Sequence, residues 1–203
     1  MLSNLTVKFI CTAMQSNAHI ISPGVRKWMQ IFPTTNFGQI WPKIFDSFCE
    51  NRKNELQWLI VHRAIKTAVK LCDWKVRNSP ACNFCGATET LEHLFLFCPR
   101  SRIVWFWACN VLNRYWEKVF DTLTLFFFSL FPKCKYDISW WFVKTVNYQI
   151  WLHRNLSAYE NDHRSADEVI TSIRKEIYIR IDVDKIRFGD LAETIWGRFT
   201  TLL

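Results

Sequence analysis

The 203-residue chain is half hydrophobic and carries eleven tryptophans but only five glycines and six prolines. That composition excludes both a disordered chain and a loop-rich β architecture, and it points to a helical protein packed on aromatic side chains, large enough for one or two domains. Its formal net charge of +8 is unevenly spread: residues 1–138 hold 17 Lys+Arg against 9 Asp+Glu, and the remainder is balanced at 9 against 9. A basic bias of this kind suits a polyanionic partner without identifying one.

Met1–Gln15 lacks the charged start, long apolar stretch and small-residue cleavage site of a secretory signal. No window approaches the ~18 uninterrupted apolar residues of a membrane span. The expectation is therefore an intracellular protein, nuclear or cytoplasmic, with no membrane association. There its eight cysteines serve as metal ligands or buried thiols rather than bridges.

Residues 1–50 read as an irregular segment with short helices. Ser22-Pro23-Gly24 signals a turn, Val25–Phe32 a short helix or extended stretch carrying Trp28, and Trp41–Phe45 the start of another apolar element. From Asn54 to Lys75 the spacing predicts one amphipathic helix, with Trp58, Val61, Ile65, Ala68, Val69 and Cys72 on one arc and Arg63, Lys66 and Lys70 as a basic stripe on another. After the cysteine-rich stretch Ser79–Pro99, a helix is predicted over Arg100–Phe120 with Ile103, Trp107, Val111 and Trp116 inward. The run Leu123–Phe131 reads as core or as a partner-facing surface. Another helix follows over Ile138–Glu160, carrying Trp140, Trp141, Val143, Val146, Ile150 and Trp151. Ser165 with Glu168 forms a capping-box pattern ahead of Ile170, Ile173, Ile177 and Ile181. That helix ends near Phe188-Gly189-Asp190, and Leu191–Leu203 is a final short helix.

The chemistry-bearing feature is Cys82-x2-Cys85-x7-His93-x4-Cys98. Zinc takes four sulfur or nitrogen ligands in a tetrahedron, and a Cys-x2-Cys turn aims two thiolates to one side. Asn83-Phe84 and Gly86 suit such a turn, glycine because it accepts positive φ. His93 and Cys98 supply the opposite edge. Four protein ligands leave no open position, so the expected cofactor is one structural zinc ion. Two other readings compete: a cluster of buried thiols beside an ordinary histidine, and a redox dithiol, although the βαβ setting of the latter is not evident here. Cys11, Cys49, Cys72, Cys109 and Cys134 have no partner spacing and read as small buried hydrophobes.

The run Leu56-Gln57-Trp58, His62-Arg63, Ser79 to Cys85, Glu89-Thr90-Leu91-Glu92-His93-Leu94-Phe95, Cys98 and Trp105 resembles the zinc-binding region downstream of reverse transcriptase in non-LTR (LINE-type) retrotransposon polyproteins. Ile150-Trp151-Leu152-His153-Arg154-Asn155 is similar to the tail of those proteins. The resemblance is specific over residues 55–107, looser beyond, and not visible before residue 40. It implies a zinc-binding domain over 51–120 and a C-terminal helical region over 121–203. In that domain Cys82, Cys85, His93 and Cys98 bind the metal, and Glu89 and Thr90 shape the loop. Polymerase and endonuclease motifs are absent from the sequence, so the implied product is non-catalytic, either a fragment of a decayed element or a short gene product derived from one.

The expected architecture is mainly α, a helical bundle with a small Cys-Cys-His-Cys knuckle inserted between two helices. The expected partner is RNA or single-stranded DNA, with Arg63, Lys66, Lys70, Lys75, Arg77, Arg100 and Arg102 as phosphate contacts. Phe84 is a stacking residue in this reading, or else packs locally against the following helix. The alternative is a zinc-stapled protein-interaction module that docks other retrotransposon protein domains through Trp28, Trp41 or Phe126-Phe127-Phe128. Catalysis is disfavoured because the remaining histidines are scattered, and His153-Arg154 reads as a helix-surface or capping pair.

Overall fold

In the computed structural model the described residues are 21–203, except 34, 46, 128–137 and 161. Their elements in chain order are α1 (Pro23–Ile31), α2 (Phe37–Ile44), α3 (Asn51–Val61), α4 (Ala68–Asp73), a π-helical turn (His93–Phe97), α5 (Pro99–Trp116), α6 (Thr122–Phe126), α7 (Ile138–Tyr159), α8 (Ala166–Phe188) and α9 (Leu191–Thr200). Among the described residues no strand forms; the one extended pairing is an isolated antiparallel bridge between Ala81 and Thr88. The protein is thus mainly helical, with the cysteine loop set between helices.

Three long helices form the frame. α7 packs against α3, α5 and α8, and α5 packs against α8 and the π-helical turn. α7 is buried almost all round along its first half, from Ile138 to Asn147, as a central helix must be. α8 begins at the expected capping box: the Ser165 hydroxyl accepts from the Glu168 amide at 3.3 Å, and the Glu168 carboxylate accepts from the Ser165 amide at 2.8 Å. Ile170, Ile173, Ile177 and Ile181 are buried as predicted, and Gly189 ends the helix at φ +56°. Val25 through Phe199 contribute to one continuous hydrophobic cluster.

A belt of buried charge crosses this core. Lys53, fully enclosed, meets Glu50 at 2.9 Å and Glu176 at 3.0 Å and lies over the Trp141 ring. Arg180 bridges Glu50 (3.0 Å) and Asp184 (2.9 Å), and Asp184 also accepts from Trp196 Nε1 at 3.0 Å. Burial opposes ionisation of Glu50, but Lys53 and then Arg180 overcome it and hold the carboxyl down at about 2.

Several expectations are corrected. Ser22-Pro23-Gly24 starts a helix rather than a turn, with Ser22 as N-cap and Pro23 in the first turn. The single helix over Asn54–Lys75 is two helices, because Arg63 adopts a left-handed φ of 57° and the chain is extended to Thr67, which caps α4. The basic stripe therefore does not exist: Arg63 is in a turn, Lys66 in the connection and Lys70 in α4. Trp58, assigned to the apolar arc, is 39% exposed.

In α5 the buried face is Val104, Trp105, Ala108, Val111 and Leu112, and Ile103 is 52% exposed. The supposed docking aromatics Trp28, Phe126 and Phe127 are core. The Trp28 Nε1 donates to the Ile60 carbonyl at 3.0 Å, and its ring packs edge-on to both phenylalanines. Phe128, Cys11 and Cys134 lie outside the described residues. Cys49 and Cys109 are buried as expected, and Cys72 is half-buried.

Candidate metal centre

The loop from Pro80 to Glu89 folds back on itself through the Ala81–Thr88 bridge, with the Glu89 amide donating to Pro80 O at 2.8 Å and the Cys82 amide to Ala87 O at 2.7 Å. The Gly86 amide returns to Cys82 O at 2.9 Å, and Gly86 holds φ +74° with open space around it, a conformation that glycine adopts without strain. This turn directs Cys82 and Cys85 to one side. The π-helical turn makes the other side: the Cys98 amide reaches His93 O at 2.7 Å, five residues back, so the two side chains come together. Pro99 then opens α5.

The metal-binding atoms of Cys82, Cys85, His93 and Cys98 all lie within 4.8 Å of one another, and Cys85 Sγ is 3.3 Å from His93 Nε2. Zinc bonds of about 2.0–2.3 Å in a tetrahedron place ligand atoms roughly 3.5–3.8 Å apart. Three sulfurs and one imidazole at this spacing fit a zinc ion. The Cys98 hydrogen bond to Cys82 holds the Cys82 thiol down at about 4 and, with burial, pushes Cys98 up. Two thiols this close share a proton, and a divalent cation displaces it.

The knuckle is anchored from outside. The His93 amide donates to Thr90 Oγ1 at 3.1 Å. Glu89 accepts from the Ala68 amide at 2.8 Å and from Arg154 Nε at 3.0 and 3.2 Å, with Arg154 Nη2 also on its carboxylate. Arg154 and His153 are 3% and 2% exposed, which corrects the surface-pair reading: the pair faces inward because Glu89 needs a buried counter-charge. Asn83 Nδ2 donates to Ser157 O at 3.0 Å, pinning the knuckle tip to α7. Sequence reading missed Arg154 and Ser157 as supports of the loop. The nearest signal was Arg154 itself, which with Lys144 is one of the two cations in the largely buried helix α7.

The residues expected to contact nucleic acid have different fates. Lys66, Lys75 and Arg102 are exposed. Arg63 pairs with Glu92 and lies over the Trp28 ring, and Lys70 Nζ donates to Arg63 O. Arg77 braces the loop through Ala81 O (3.0 Å) and Asn83 Oδ1 (2.6 Å). Arg100 is buried, its guanidinium 3.2 Å from the Phe84 ring centre. Burial lowers its pKa to about 10 against the opposing pull of the Cys82–Cys98 thiol pair and Glu89. Phe84, half-buried between Arg100 and an edge-on His163, packs locally against the following helix.

No curated protein and no solved structure matches the chain. Residues 25–105 match the family described as zinc-binding in reverse transcriptase. The match starts upstream of the visible sequence resemblance and takes in α1 and α2, whose core side chains pack with α3. Over residues 25–105 the chain is therefore similar to the zinc-binding region of reverse transcriptases, and within that segment its Cys-Cys-His-Cys cluster is assembled between helices.

Proposed function

We propose that the chain is a non-catalytic module of a non-LTR retrotransposon reverse transcriptase protein. In this reading it carries one structural zinc on Cys82, Cys85, His93 and Cys98 and binds RNA or single-stranded DNA in the nucleus or cytoplasm. The structural role of the metal follows from four protein ligands, which leave no position for substrate or water. No helix among the described residues is long and apolar enough to cross a membrane.

The observation that carries the nucleic-acid reading is the placement of Lys66, Lys75 and Arg102. All three are exposed, sit on segments leading into or out of the metal loop, and make no ion pair among the described residues. Cations so placed meet phosphates and supply affinity without sequence choice.

A second reading, a zinc-stapled protein-docking module, is favoured by Phe97, Ile103 and Phe106, which are 55%, 52% and 71% exposed beside one groove on α5. Elemental analysis of wild type and a Cys82→Ala/Cys85→Ala variant, with RNA binding measured across a salt series, separates these. One zinc and a salt-sensitive affinity, both lost in the variant, support the first reading. Zinc without RNA binding leaves the second, and no zinc overturns both.

A further inference from the structure

Lys27 of α1 and Lys70 of α4 line one cleft of ≈ 410 Å³. Its remaining walls are the first turn of α1 at Pro23-Gly24, the turn at His62-Arg63, and the segment Thr90–Glu92 that leads into the metal ligand His93. The cleft exists because α1 approaches the turn closely: a Cβ on Gly24 would lie 2.4 Å from the His62 carbonyl oxygen. The left-handed Arg63 then bends the chain away from α3.

Charge in the cleft is not balanced. Arg63 is compensated in the wall by Glu92 and by the Trp28 face. Lys70 is drawn inward by the Arg63 carbonyl. Its burial, followed by the facing charges of Arg63 and Lys27, lowers its affinity for its own proton. Lys27 is exposed and makes no ion pair among the described residues. Asp73, the other acid on the rim, is exposed. Two ammonium groups that repel each other across a solvent-filled cleft gain most from an anion between them.

We infer that this cleft binds a phosphate group of a single-stranded nucleic acid, contacted by Lys27 and Lys70. The inference deepens the nucleic-acid reading and rests on it. It also gives the metal an indirect part: zinc fixes His93, and thereby the Thr90–Glu92 wall, without touching the nucleic acid. Lys27 lies on a helix upstream of the segment whose sequence pattern suggested a zinc domain.

The test uses the full chain, a Lys27→Ala/Lys70→Ala variant, the matching Lys→Arg variant and a Lys66→Ala/Lys75→Ala variant. The probes are a single-stranded RNA oligonucleotide over a salt series and inorganic pyrophosphate followed by amide NMR shifts. Neither Lys27 nor Lys70 is buried, and unchanged thermal melting confirms that each variant folds. The expected result is that losing both lysines weakens RNA binding about tenfold or more and lowers the slope of log affinity against log salt by about 1.4, two contacts at ~0.7 each. The arginine variant keeps the slope, and pyrophosphate shifts the Lys70 and Thr90 amides only when the lysines are present.

A double alanine variant with wild-type slope overturns the cleft, and if the Lys66/Lys75 variant loses affinity instead, nucleic-acid binding stands without it. Pyrophosphate shifts without any RNA binding keep the cleft as a site for free phosphate and overturn the nucleic-acid reading. No shift with either probe overturns the inference.

Discussion

Arg154 in the C-terminal third of the chain's central helix closes on Glu89 at the foot of the metal loop, 65 residues earlier, with both side chains at least 96% enclosed. The same carboxylate caps α4 through the Ala68 amide. One buried acid therefore ties the knuckle, the helix before it and the C-terminal half of the protein together.

Removing one partner of such a pair strands a charge in the core, which costs about 3–5 kcal/mol. Arg154→Met and Glu89→Gln are each expected to destabilise the protein in that range by urea unfolding. The double variant should cost clearly less than the sum. Additive losses would mean that the two residues do not act as a unit.

Chelation is expected to free the loop and spare the frame. Zinc binding in small peptides is worth roughly 10–16 kcal/mol, which is folding energy for the segment that holds it. Amide exchange should accelerate from Ser79 to Pro99 while α7 and α8, packed on each other and on α3 and α5, stay protected. Unchanged protection of the loop in the apo protein would contradict this.

His153 is enclosed, and both ring nitrogens lack a hydrogen-bond partner among the described residues. Burial, then the charges of Arg164 and Arg100, hold its pKa at about 4, below the ordinary 6.5, against a smaller pull from Asp162 and Glu168. The folded state thus keeps His153 neutral while the unfolded chain takes up a proton below pH 6.5. The stability tied to His153 is complete above pH 6.5 and is lost as pH falls towards 4, by about 3 kcal/mol in all. The stability difference between wild type and His153→Gln, followed from pH 7 to pH 4, should change by that amount. Taking the difference cancels the loss of zinc in acid.

Glu50 works in a lower window. Its pKa of about 2, against an ordinary 4.5, means that its contribution is present above pH 4.5 and disappears as pH falls towards 2. Glu50→Gln should shrink the loss of stability across that interval. An identical acid limb in the variant would show that Lys53 and Arg180 do not depend on Glu50.

Gly24→Ala should cost about 1–3 kcal/mol in urea unfolding, since the added methyl meets the His62 carbonyl, a backbone group that cannot move aside. Gly86→Ala meets no neighbour and should cost less, through its positive φ alone.

Local information in the sequence determined what depends on neighbours along the chain. The Cys-x2-Cys turn with its glycine, the capping box at Ser165, the isoleucine series of α8 and the gathering of four zinc-type ligands all act within about twenty residues, so spacing alone locates them. Tertiary structure decided what depends on counter-charge and on the break in a helix. Arg63 at positive φ splits a periodic pattern that reads as one helix, because its pairing with Glu92 and stacking on Trp28 stabilise the turn. Arg154 becomes an interior group because Glu89 meets it from a segment 65 residues away, and Arg100 because the folded knuckle lays Phe84 against it. Lys27, unremarkable in sequence, comes beside Lys70 only because α1 folds back over the turn between α3 and α4.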